Sequence, residues 1–149
     1  MSNKLGGLLI NKVNFLSGRV FTKLIRKNKL LHINNAQGRI LFILSRFKEM
    51  SINELCNELS VSKSTLTSML DRLYFNGYII KKTSELDKRL TLISITEKAK
   101  ESVNIYESIV YQMEKIYYKG FSEEDINKFE NYLSRIYINL EEINELGED

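Results

Sequence analysis

The stretch INELCNELSVSKSTLTSMLDRLYFNG, residues 52–77, contains two short amphipathic segments joined by a tight turn. In the first, Ile52, Leu55, Cys56 and Leu59 recur at i, i+3, i+4 and i+7, with Asn53, Glu54, Asn57 and Glu58 on the other side, so a short helix with one apolar face is predicted. Ser60-Val61-Ser62 turns the chain, and Ser62 is placed to cap a second helix over Lys63 to Asn76. That helix directs Leu66, Met69, Leu70 and Leu73 inward and Lys63, Ser64, Thr67, Ser68 and Asp71 outward. Asn76-Gly77 ends it in a manner suited to a left-handed residue. This arrangement matches the helix-turn-helix pattern, whose second helix needs a small polar outer face to enter a groove.

Toward the C-terminus, Tyr78 to Lys82 and Leu90 to Ile95 are β-branched and aromatic runs separated by the polar tip Thr83 to Arg89, so they read as two antiparallel strands with a protruding loop. A helix-turn-helix followed at once by such a hairpin is a winged helix. Two long helices come next, one from Glu97, capped by Thr96, to Lys119 and one from Glu123 to Leu146. Gly120 breaks between them, and Ser122-Glu123-Glu124-Asp125 reads as a capping box with acids where the helix dipole favours them. Toward the N-terminus, Asn34 or Asn35 caps a helix presenting Ile40, Leu41, Leu44 and Phe47, and Gly38 inside it marks a close helix contact. Over residues 7–30, Leu9, Val13, Leu16, Val20, Leu24 and Ile25 fall at helical spacing among Lys12, Arg19, Lys23, Arg26 and Lys27. The expected fold is mainly α with a small β-hairpin wing, a winged helix-turn-helix flanked by long N- and C-terminal helices.

Composition narrows the class. The 149 residues are 43% hydrophobic and 28% charged, the mixture of a single ordered domain. There is no proline, and the seven glycines are scattered, so no linker is indicated. The longest apolar run, Ile40 to Leu44, falls far short of the roughly 20 residues a membrane-spanning helix needs. Lys4, Asn11 and Lys12 interrupt the N-terminal apolar stretch, and a cytoplasmic location is the default expectation, with no membrane partner. One cysteine, Cys56, and one histidine, His32, do not make a zinc site, and no Gly-rich phosphate loop or paired acid–base constellation suggests an enzyme or a cofactor. Residues 1–95 carry 16 Lys and Arg against 6 Asp and Glu, while residues 96–149 carry 6 against 13. Such asymmetry points to a basic working region that meets a polyanion.

The order of elements resembles the MarR family of bacterial transcription regulators over nearly the whole chain. Val61-Ser62-Lys63-Ser64-Thr65-Leu66-Thr67 leading to Leu70-Asp71-Arg72-Leu73 and Gly77-Tyr78-Ile79 is similar to that family's recognition helix and its exit. Asp87-Lys88-Arg89 resembles its Asp-x-Arg wing signature, and the strand runs out through Ser94-Ile95-Thr96-Glu97-Lys98. The departures are Ser84-Glu85 where the family often has Asp-Pro, Ala99 in place of a glycine, and an acidic and apolar wing start at Glu85 and Leu86. The resemblance implies a homodimeric, sequence-specific regulator that binds double-stranded DNA, a repressor by expectation, with a small-molecule effector as a further partner. Its DNA-binding part would span residues 34–96, with dimerisation helices in residues 1–33 and 97–149 of one 1–149 domain. It carries onto this chain a DNA-reading role for Lys63, Ser64, Thr65, Thr67, Ser68, Arg72 and Lys88, a minor-groove role for Arg89, and a holding role for Asp87.

Each of these positions has a plainer reading. The outer face of the second helix is otherwise an ordinary solvated surface, and Arg89 an exposed arginine paired with Asp87. Cys56 on an apolar face is expected to be a core thiol, since no cation adjoins it to stabilise a thiolate. The tyrosines of the last two helices, Tyr106, Tyr111, Tyr117, Tyr118, Tyr132 and Tyr137, are expected mostly in a dimer core. The competing functional reading is a helical dimeric adaptor that binds protein only. Binding to mixed DNA at two salt concentrations separates the two.

Overall fold

The computed structural model describes residues 4–29 and 32–146. Positions 1–3, 30, 31 and 147–149, which the expected dimerisation segments include, lie outside the described residues. The order is α1 (Gly6–Lys27), α2 (Asn35–Ser45), β1 (Met50–Ser51), α3 (Ile52–Leu59), α4 (Lys63–Phe75), β2 (Ile79–Thr83), β3 (Thr91–Ile95), α5 (Glu97–Tyr117) and α6 (Glu123–Leu146). The chain packs as two compact units, Met1–Tyr111 and Gln112–Asp149.

Side chains near the starts of α2, α3, α4 and α6 explain where those helices begin. Asn34 accepts from the amide of Gln37 at 2.8 Å while the Gln37 side chain accepts from the Asn34 amide at 3.1 Å, a reciprocal cap on α2. Ser51 and Glu54 do the same for α3, at 3.2 and 2.7 Å. These bonds hold the Glu54 carboxyl below its ordinary range. Ser62 accepts from the Thr65 amide at 3.3 Å to start α4, and Ser122 and Asp125 cap α6 reciprocally at 3.1 Å each way. The turn between α3 and α4 passes through Ser60 in the left-handed region, φ 52°.

In the first unit α2, α3 and α4 bury Ile40, Leu41, Leu44, Leu55, Leu66, Leu70 and Leu73 together with Ile93 of β3 and Ile109 of α5. Phe47, expected inward, is 49% exposed because α2 ends at Ser45 with Arg46 as its C-cap, so Phe47 leaves the helical period. The close contact at Gly38 is with Tyr106, whose ring carbon lies 2.3 Å from where a Cβ would sit. Tyr106 is therefore not a dimer-core residue. It is buried within its own chain, where its ring meets Phe21 and Phe42 and its hydroxyl donates to Asn35 Oδ1 at 3.1 Å. Burial raises its pKa.

The hairpin gains a third strand. The sheet order is β1-β3-β2, all antiparallel, with Met50 opposite Ile93 on one side of β3 and Ile79 opposite Ile95 on the other. The sheet roots the protruding β2–β3 loop on the same strand, β3, that delivers Ile93 to the core. In the second unit, Phe129 meets Tyr118 and Phe121 edge-on, and those two rings pack at a tilt across the Gly120 turn, which has φ 84°. Tyr118 donates to Glu130 at 2.7 Å, and this bond pushes its pKa up to about 12.

Candidate nucleic-acid interface

α4 presents three strips to solvent. At 3.6 residues per turn, Ser64, Ser68, Asp71 and Phe75 form the ridge opposite the buried Leu66, Leu70 and Leu73. Lys63, Thr67 and Tyr74 flank it on one side, and Thr65 and Arg72 on the other. The Thr67 hydroxyl donates to the Lys63 carbonyl at 2.7 Å, so outward it offers lone pairs and a methyl group. Thr65 is engaged at the helix start, its hydroxyl accepting from Ser62 at 2.9 Å. Asp71, the one acid on the ridge, is paired with Lys81 of β2 at 2.5 Å, and that ammonium also lies 5.4 Å from the centre of the Tyr74 ring. The pair offsets the only charge on this face that would repel a phosphate backbone, and it ties the helix to the sheet.

The far end of α4 is latched to the start of α5. Gly77 takes φ 75°, a conformation that suits glycine. Its carbonyl accepts from the Thr96 hydroxyl at 2.7 Å, and the Asn76 carbonyl accepts from Lys98 Nζ at 2.7 Å. Lys98 also stands 4.7 Å from the centre of the Tyr78 ring. Carbonyls that the helix end leaves open are thus satisfied by the residues that lead out of β3.

The β2–β3 loop holds Arg89 in a fork. Its Nε donates to Asp87 Oδ1 at 3.0 Å and its Nη2 to Oδ2 at 2.9 Å, while the Arg89 amide donates to Oδ1 at 3.0 Å. Both carboxylate oxygens are used, yet the Arg89 side chain stays 89% exposed. The arginine side chain, and then its amide, hold the Asp87 carboxyl below the usual carboxylate range, and the carboxylate raises the arginine in return. The loop is fastened by Ser84, a buried residue whose hydroxyl accepts from the amides of Leu86 and Asp87, both at 3.3 Å.

Of the sequence-predicted residues, Lys63, Ser64, Thr65, Thr67, Ser68 and Arg72 lie together on α4, and Asp87, Lys88 and Arg89 together on the loop. The sequence reading missed the parts that position them: the Asp71–Lys81 pair, the Thr96 and Lys98 latch, and Ser84. A hydroxyl two and three residues ahead of the amides it binds is a recognisable turn signal, so Ser84 was within reach of it. His32 is exposed, and Cys56 is half-buried on α3 as a free thiol. Among the described residues no helix is long and apolar enough to cross a membrane.

A two-helix motif with a latched second helix, backed by a three-stranded sheet with a protruding loop, defines a winged helix-turn-helix protein. Residues 33–91 match the MarR family. It is 25% identical to the transcriptional repressor IacR of Pseudomonas putida over 124 residues, covering 83% of this chain and 74% of IacR. It is 24% identical to the transcriptional activatory protein BadR of Rhodopseudomonas palustris, covering 87% of this chain and 83% of BadR. Among solved structures, a MarR mutant from E. coli complexed with operator DNA is 26% identical, with a TM-score of 0.76 over 87% of this chain and 91% of that one. The family's members are transcription regulators, not enzymes, and this chain is a transcription regulator of the MarR type.

Proposed function

We propose that the protein acts as a cytoplasmic homodimer that represses transcription by occupying a specific duplex operator. Residues 34–96 form the DNA-binding part, and the helices within residues 1–33 and 97–149 form the dimerisation part. The observation that carries this reading is the Asp87–Arg89 fork, a guanidinium held in place at two of its three nitrogens and still open to solvent. An arginine fixed in this way enters a narrow A·T-rich minor groove without first losing side-chain freedom. Lys63, Ser64, Thr65, Thr67, Ser68 and Arg72 face the adjoining major groove, where Thr67 accepts from a base amino group or packs its methyl on thymine. Lys88 adds a phosphate contact.

Unsatisfied apolar surface supports the dimer. Leu8, Leu9, Val13 and Leu16 of α1 are each more than half exposed, and Phe129, Leu133, Ile136, Tyr137 and Leu140 of α6 are 38–66% exposed. A second copy removes these stripes from water, where a lone chain would leave them. Repression agrees with the similarity to IacR, whereas BadR carries the opposite sign in its name. An effector acts if it binds one spacing of the two α4 helices better than the other.

Selection of binding sites from random-sequence DNA, followed by footprinting, tests the reading. The expected product is a two-fold symmetric site with half-sites about 10 to 10.5 base pairs apart, as one helical turn requires. Failure to enrich any duplex would favour the protein-only adaptor.

A further inference from the structure

Leu86 is the most exposed large apolar side chain among the described residues, at 101% of the reference leucine. A solvent-exposed leucine by itself means little, because much of any protein surface is apolar. Its setting is what distinguishes it. Ser84, itself only 8% exposed, takes the amides of Leu86 and Asp87 on its hydroxyl. The Ser84 amide donates to the Leu90 carbonyl at 2.9 Å and the Leu90 amide to the Asp87 carbonyl at 2.9 Å, which closes the loop beneath the tip. Leu86 is thus held out by a pinned backbone on the same short loop that fixes Arg89. The charges around it suit a polyanion: Lys88 and Arg89 follow, and Glu85 is paired with Lys82 at 3.7 Å.

We propose that Leu86 is an apolar wedge that inserts at a base step next to the groove position taken by Arg89, so that the wing reads the deformability of DNA as well as its charge. The inference rests on the reading of the wing as a minor-groove element. An apolar side chain leaves water on entering between base or sugar edges, and the cost is unstacking, which is least at pyrimidine–purine steps. Arg89 favours a narrow, strongly negative groove, and Leu86 favours a flexible step beside it. The pair therefore discriminates at positions where no base edge is hydrogen-bonded.

The test uses the duplex recovered by selection, with dyes at its two ends to report bending, and a second duplex in which the wing-facing TA or CA step is replaced by AA. The proteins are the parent, Leu86→Ala and Leu86→Met. The parent should bend the flexible duplex and prefer it, and Leu86→Ala should bind it about tenfold more weakly, bend it less and lose the step preference. Leu86→Met, which keeps an apolar side chain of similar length, should retain most of all three. If Leu86→Ala matches the parent in affinity, bend and step preference, the wedge is refuted while the DNA-binding reading stands. A parent that binds neither duplex refutes both.

Discussion

Arg89 meets solvent with its hydrogen-bonding fork already filled by Asp87, so its orientation is set before any partner arrives. The Asp87 carboxyl is lowered from 3.8. The stabilisation linked to that shift is fully present above 3.8 and is lost as pH falls through the lowered folded value, so acidification to pH 5 leaves the fork intact. Carboxyl NMR should find the Asp87 midpoint below 3.8, returning toward it in Arg89→Ala; an unchanged midpoint in that variant would show that the arginine does not hold the acid. Gly38 makes a second residue-level claim. A methyl group there meets two atoms of the buried Tyr106 ring, at 2.3 and 2.5 Å, and that ring is hydrogen-bonded to Asn35. Overpacking of about 1–3 kcal/mol exceeds the helix-propensity gain of about 1 kcal/mol from replacing glycine, the more so because both distances are so short. Gly38→Ala should therefore lower stability in denaturant unfolding, and a variant as stable as the parent would contradict the contact.

At the scale of elements, the latch between α4 and α5 ties the end of α4 to the residues that lead out of β3. Thr96→Val removes the hydroxyl that satisfies the Gly77 carbonyl and should cost about 0.5–1.5 kcal/mol of unfolding free energy. Hydrogen exchange should speed up first at the end of α4, and unchanged exchange there would show that the latch does not hold the helix. The six helices among the described residues were legible in the sequence because their apolar residues recur at helical spacing and Ser62, Ser122 and Gly120 mark their ends. β1 was not, since Met50 and Ser51 are too few to show a period and only pairing with β3 makes them a strand. The wing residues were legible by their order, but not the bonds that arrange them: Lys81 reaches back ten residues to Asp71, and Lys98 reaches 22 residues to Asn76. Tyr106, one of the tyrosines expected mostly in a dimer core, is instead buried within its own chain, which the sequence does not show for a related reason. An apolar stripe says that a helix face is covered, not whether its own chain or a second copy covers it.

The whole molecule separates its charges, with a cationic excess through β3 and an acidic excess beyond it. It also leaves long apolar stripes open on α1 and α6. Light scattering at micromolar concentration should give twice the 17.4 kDa chain mass, and a mass of one chain would contradict the dimer. A dimer carries two wings, which makes the central claim countable. The most direct measurement is the salt dependence of affinity for the selected duplex, for the parent and for Arg89→Ala. Loss of one groove-bound cation from each wing should weaken binding and reduce the slope of log affinity against log salt by roughly 2, since each phosphate contact contributes about 0.9. An Arg89→Ala protein with the parent's affinity and the parent's slope would contradict the account.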